Sequence, residues 1–320
     1  MDNTTERLGG NETAGQMHGQ TPGLEATTTT SNKDHAHNLA AMDGLAAVLT
    51  RQGRYEEAEQ MLRQTLESRE KVLAQNKEHP NVLGSLNNLA GVLNQQGRYA
   101  EAEAMNREVL SSISRMLGKE HTDTLTSMNN LAEVLGSQGK YDEAAKMHRE
   151  TLELSEMVRG KEHPDTLSSM SNLANALARQ GNYEEAEEIN RQTLDSRRRV
   201  LRKRHPDVTQ SMNNLASVLS RQGRYDEAEK LYRQTLELVE TDLQRLPSVS
   251  NLAEVLNTLG KYDEAQAMYQ ERLELARAVL GRKHPRTLIS IRDLAEVLHR
   301  QGRYKESEEM YREALELAKG

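Results

Sequence analysis

Five histidines are the first residues in this sequence that could do chemistry. His79, His121, His163, His205 and His284 stand at equivalent places, each just ahead of an apolar-periodic segment, and imidazole is a common ligand for zinc and iron. In a regular helical array, successive copies lie on the order of 10 Å or more apart, because packed helices are separated by roughly 8–10 Å. Ligands of one metal must all sit about 2 Å from it. The spacing therefore assigns these five to helix-start turns as caps and predicts no shared metal site. His35 and His37 are an isolated pair, too few to make a ligand set.

Phosphate chemistry fails on similar grounds. Gly118, Gly139, Gly160 and Gly260 each precede a lysine, but the next residues are Glu120, Tyr141, Glu162 and Tyr262. A phosphate-cradling loop needs Ser or Thr there and a further glycine five residues upstream. Paired carboxylates such as Glu184 and Glu185 could serve as acid and base. They recur, however, where the positive end of a helix dipole favours anions. The chain has no cysteine, so a thiol nucleophile and thiolate metal sites are excluded. Catalysis needs unlike groups converging on one point, whereas this chain lays like groups out at intervals. The expectation is a protein that is not an enzyme and carries no cofactor and no metal.

A net charge of −7, from 42 basic and 49 acidic residues, gives no general attraction to nucleic acid or to anionic membrane. Neither partner is expected. The local exception is a basic run, Arg197, Arg198, Arg199, Arg202, Lys203 and Arg204, which reads as a solvated helix end complementing the C-terminal dipole or, alternatively, as a patch for an acidic partner. The first ten residues, MDNTTERLGG, hold no apolar signal core, and no apolar run is long enough to span a bilayer. A cytoplasmic location is expected.

The elements that must position these residues are set by repetition. Gly-x-Tyr recurs at Gly53, Gly97, Gly139, Gly181, Gly223, Gly260 and Gly302, with 42 residues between most neighbours. Such a period marks units that bury an apolar face only by stacking on one another. In the fourth copy Leu167, Met170, Leu173, Ala174 and Leu177 follow the rhythm of an amphipathic helix, here termed helix A, that ends at Gly181. Ala186, Ile189, Leu194 and Leu201 mark a second, helix B. Glycine suits the left-handed residue that closes helix A. The small residue in helix B (Ala58, Ala102, Ala144, Ala186, Ala228, Ala265, and Ser307 in the last copy) lets the two helices approach. Five prolines, Pro80, Pro164, Pro206, Pro247 and Pro285, fall between one helix B and the next helix A, where a fixed φ suits a first helical turn. No proline is expected inside a helix.

The array is thus predicted over residues 34–319 in seven hairpins, behind a disordered polar tail over 1–33 that is rich in Gly and Thr. Gly223 and Gly260 are five residues closer than the usual period. The loss is expected to come from the turn between the fifth and sixth repeats, near 244–248.

The fourth copy, HPDTLSSMSNLANALARQGNYEEAEEINRQTL, resembles the 42-residue tetratricopeptide repeats of kinesin light chains and of related scaffold and sensor proteins. The resemblance covers roughly residues 34–319, without the heptads that precede the repeats in kinesin light chains. It implies an all-α fold, a right-handed α-solenoid of seven helix-turn-helix repeats, with the A helices lining a concave groove that holds a protein or peptide segment. The groove face of helix A then carries Asn87, Asn129, Asn175, Asn213, Arg179 and Arg221, beside an asparagine column of Asn88, Asn130, Asn172, Asn214 and Asn251.

An amide both donates and accepts, which suits the backbone of an extended peptide. The alternative for the column is hydrogen bonding between neighbouring A helices. Arginines near the ends of helix A suit acidic side chains in the partner or, equally, the helix dipole. Two further readings stand beside the scaffold: a sensor module working with a separate ATPase or signalling domain, and, least favoured, an enzyme. The chain stops at Lys319-Gly320, leaving Tyr311 and Leu315 on an uncovered last hairpin, which is expected to fray or to self-associate.

Overall fold

The computed structural model describes residues 22–73, 76 and 78–319. Residues 1–21, most of the expected tail, lie outside them. Among the described residues there are fourteen helices: α1 (Pro22–Arg51), α2 (Tyr55–Val72), α3 (Pro80–Gln95), α4 (Tyr99–Leu117), α5 (Thr122–Ser137), α6 (Tyr141–Arg159), α7 (Pro164–Gln180), α8 (Tyr183–Val200), α9 (Pro206–Arg221), α10 (Tyr225–Leu238), α11 (Asp242–Thr258), α12 (Tyr262–Leu280), α13 (Pro285–Arg300) and α14 (Tyr304–Lys319). The chain up to Ala41 and the chain from Met42 form separate units. In the first, α1 begins at Pro22, so residues 22–33 are helical where a disordered tail was expected. Proline at the first helical position gives up no hydrogen bond.

From Met42 onward the odd-numbered helices are A helices and the even-numbered ones B helices. Each A helix ends in the same way. The residue after the turn glycine donates its backbone N–H to the leucine carbonyl five positions back, from Arg54 to Leu49 through Arg303 to Leu298, at 2.9 Å in all seven copies. This closure requires positive φ at the glycine, as at Gly181 with φ 94°. Helix B starts on the tyrosine, and the alanines that follow are buried, from Ala58 to Ala265. In the last copy the Ser307 hydroxyl is buried instead and donates to the Ala295 carbonyl at 2.8 Å. The histidines do cap helix A: Nδ1 of His79, His121, His163 and His205 accepts the N–H two residues on at 3.2 Å.

The shortened repeat differs from expectation. Its deletion falls on the end of helix B, for α10 has 14 residues where α12 has 19, while residues 244–248 lie inside α11. Pro247 is therefore within a helix, at its sixth residue, where it removes one backbone hydrogen bond. Thr241 replaces the missing histidine as the cap of α11. The A helices stay joined across this junction, since the Ser248 hydroxyl donates to Asn213 Oδ1 at 2.8 Å.

A ladder of ion pairs along the turns links successive hairpins. At four of the six junctions the residue after the turn glycine is cationic and reaches a glutamate in the preceding helix B: Arg98 to Glu59 at 2.7 Å, Lys140 to Glu103 at 2.8 Å, Arg224 to Glu187 at 2.8 Å and Lys261 to Glu229 at 2.7 Å. At the last, Arg303 reaches Gln266 at 2.8 Å instead. The Lys140 ammonium, with Arg107 and Gln138 also bonded to it, holds the Glu103 carboxyl at about 2. Between the third and fourth hairpins both partners are absent together, as Ala145 and Asn182. Installing the pair with Ala145→Glu and Asn182→Arg should show a coupling of about 0.5–1 kcal/mol in a double-mutant cycle of urea unfolding. Strictly additive effects would show that the rung contributes nothing to stacking.

Candidate functional site

The third and fourth A helices, α5 and α7, bound a cleft of about 270 Å³ with α6 beneath it. Asn129, Asn130 and Glu133 come from α5, His148 from α6, and Asn172, Asn175 and Arg179 from α7. Register explains the convergence, because residues three and four apart share one helix face and the apolar positions between them are committed to the core. Gly136 leaves room for the Arg179 guanidinium, whose Nη1 lies 3.7 Å from where a Cβ would stand. Arg179 and Asn175 are exposed, while Asn130 and Asn172 are half-buried. Among the described residues none of the three amides makes a side-chain hydrogen bond, and neither Arg179 nor Arg221 has an ion pair. A cleft this size admits a side chain or a short backbone stretch, below the roughly 300–1,000 Å³ of small-molecule sites.

Its floor holds a group that sequence reasoning passed over. His148 is 6 % exposed, and loss of water pushes its imidazole down to about 4. Its Nδ1 lies 3.0 Å from Asn129 Oδ1. A neutral ring donating to that amide oxygen keeps its proton on Nδ1, which leaves Nε2 as an acceptor. Nine residues after each turn glycine the copies read Leu62, Asn106, His148, Asn190, Tyr232, Tyr269 and Tyr311. Aligning the repeats on glycine would have shown this polar, variable column. The Asn106 and Asn190 amides are buried with unpartnered atoms, and burial raises the Tyr232 hydroxyl, whose polar neighbours are Ser217 and Asn251.

The other expected groove residues are distributed differently. Asn213 is buried and its oxygen is taken by Ser248, so it bonds one A helix to the next and does not present an amide to the groove. Asn214 accepts the Gln210 side-chain N–H at 2.8 Å on its own helix. Asn87 and Asn88 line a separate cavity near the first hairpin. The basic run is partly absorbed by neighbouring hairpins. Arg197 is buried and donates to Ser211 Oγ at 2.8 Å, Arg199 pairs with Glu162 at 3.1 Å and Arg204 with Glu240 at 3.0 Å. No group of three or more metal-ligating side chains occurs among the described residues, and no helix among them is long and apolar enough to cross a membrane.

This architecture is found in known proteins. Models of the tetratricopeptide repeat match residues 81–157, 129–199, 165–241 and 245–320, and a second such model matches 38–81. A Podosopora anserina chain of kinesin-light-chain type with nearly identical TPR-like repeats is similar at 28% identity, over 64% of this chain and 95% of that one, with a TM-score of 0.55. BtubC (BKLC) from P. vanneervenii shares the fold at 19% identity, covering 71% and 92%, with a TM-score of 0.55. So does a Rap protein complexed with Competence and Sporulation Factor, at 12% identity over 88% and 98%, with a TM-score of 0.52. No curated protein matches the sequence. With its turn repeated in seven hairpins, its caps and packing alanines in six of them, and these models spanning nearly all of the array, the chain belongs to the tetratricopeptide-repeat family.

Proposed function

We propose that this protein is an interaction scaffold that holds an extended segment of a protein partner along its A helices, with the α5–α7 cleft as the principal subsite. The observation that carries this reading is the convergence of Asn130, Asn172, Asn175 and Arg179 on one accessible cleft without hydrogen-bond or ion-pair partners of their own. Amides left free at a groove suit peptide N–H and C=O groups. The unpaired guanidinium of Arg179, and that of Arg221 one repeat on, favour a segment with acidic side chains. That a Rap protein of the same fold was solved with a bound factor is consistent with use of this architecture for binding.

A photo-crosslinking residue at Asn175 tests the reading, with the exposed Lys230 of helix B as control. Crosslinks to a partner should form from position 175 and be weak or missing from 230. Equal crosslinking from both would place the partner elsewhere.

A further inference from the structure

Two side chains missing from one junction open the α5–α7 cleft. Five residues before the turn glycine, six copies carry valine (Val48, Val92, Val134, Val218, Val255 and Val297), and the fourth carries Ala176. Three residues before it, the third copy has Gly136 where every other copy has a side chain. Both truncations line the same space of about 270 Å³, so the cleft is particular to this junction.

Its floor is an acceptor. His148 is 6 % exposed and commits its Nδ1 proton to Asn129 Oδ1 at 3.0 Å, which leaves a lone pair on Nε2. That nitrogen makes no hydrogen bond among the described residues. It opens on the cleft, unlike the Asn190 amide one repeat on, whose oxygen and nitrogen are both sealed off. An acceptor so placed favours an occupant that brings a donor.

The walls ask for more than a donor. The amides of Asn130, Asn172 and Asn175 and the Arg179 guanidinium all donate, so the occupant must accept as well. An ammonium accepts nothing. A carboxylate brings acceptors only and sets an oxygen against the Nε2 lone pair. An aromatic ring fills the volume but strips water from the amides without replacing their hydrogen bonds. A serine or threonine hydroxyl has one atom for both tasks and leaves much of the space empty. The two charged residues of the lining, Glu133 and Arg179, are opposite in sign, so a neutral group fits between them. A carboxamide carries a donor and an acceptor side by side on one planar, uncharged group.

Building on the scaffold reading, we propose that the α5–α7 cleft is a pocket for a carboxamide side chain, an asparagine or glutamine of the held segment, whose N–H donates to His148 Nε2 and whose oxygen accepts from the wall.

Random dodecapeptides displayed on phage and selected on the full chain are the probe. Selected peptides should share an Asn or Gln at one position. Its replacement by Leu, or by the matching acid, should weaken binding about tenfold, the worth of one hydrogen bond to a buried acceptor. Ala176→Val installs the residue that six other copies carry, so the fold should accept it. The filled cleft should bind the parent peptide about tenfold more weakly and no longer tell the three peptides apart. In protein labelled with 15N-histidine, the Nε2 resonance of His148 should move when the parent peptide binds and hold still with the Leu peptide. The proposal is overturned by selected peptides that share no carboxamide, by equal binding of the Leu peptide, by discrimination that survives Ala176→Val, or by an unmoved Nε2. Peptides retained in full by the variant with Asn130→Ala, Asn172→Ala and Asn175→Ala together would sink the groove reading as well. Peptides lost from that variant but indifferent to Ala176→Val would sink the carboxamide pocket alone.

Discussion

Replacing His148 by asparagine, the residue at the same place in the second and fourth repeats, should make the protein markedly less sensitive to acid. An imidazole in an unfolded chain titrates near 6.5, whereas burial holds that of His148 at about 4. Because the folded value is the lower one, acid favours unfolding: below pH 6.5 the unfolded chain takes up a proton that the folded chain refuses. The stability contributed by the buried neutral ring is intact above 6.5 and is lost as pH falls toward 4, by about 3 kcal/mol in all. Urea unfolding midpoints measured from pH 7.5 to 4.5 should fall much further for the wild type than for His148→Asn. Parallel curves would mean that His148 protonates in place, and that the floor of the cleft is wetter than its packing indicates.

The second large effect separates binding from folding. Asn130→Ala, Asn172→Ala and Asn175→Ala together remove three amides that make no side-chain hydrogen bond among the described residues, and alanine is the better helix former. The melting temperature should hold or rise slightly. Binding of a groove partner should weaken roughly a hundredfold if each amide supplies one hydrogen bond worth about 1 kcal/mol. Asn129→Ala with Asn213→Ala should do the reverse. Those substitutions strip partners from the buried His148 and Ser248 and should cost about 1–3 kcal/mol each in stability. A triple variant that melts well below the wild type would assign the column to stacking.

That contrast marks where sequence reasoning reached its limit. The turns, caps and packing alanines were legible because each is dictated by geometry local to a few residues: positive φ at Gly181, a histidine acceptor ahead of five of the A helices, a fully buried small side chain at Ala186. Asn129 and Asn130 are adjacent on a helical wheel, and whether an amide meets a partner depends on what the next hairpin brings. For Asn129 that is His148 of α6, and for Asn213 it is Ser248 across the shortened junction. Pro247 misled for a related reason: the deletion was absorbed by α10, and this proline stands one turn further into its helix than Pro80, Pro164, Pro206 and Pro285, which open theirs. The contact of Gly53 with His284 joins residues more than two hundred positions apart, and no local pattern encodes it.

The central claim, that the α5–α7 face is where a partner is held, is tested most directly by affinity capture from cell extract with two baits side by side, the wild type and the Asn130, Asn172, Asn175 triple alanine variant. Affinity is then measured for each protein recovered. The account predicts at least one protein retained by the wild type and lost from the variant, with a dissociation constant about a hundredfold weaker for the variant at unchanged helicity. If both baits retain the same proteins with the same affinities, the groove is not the binding face.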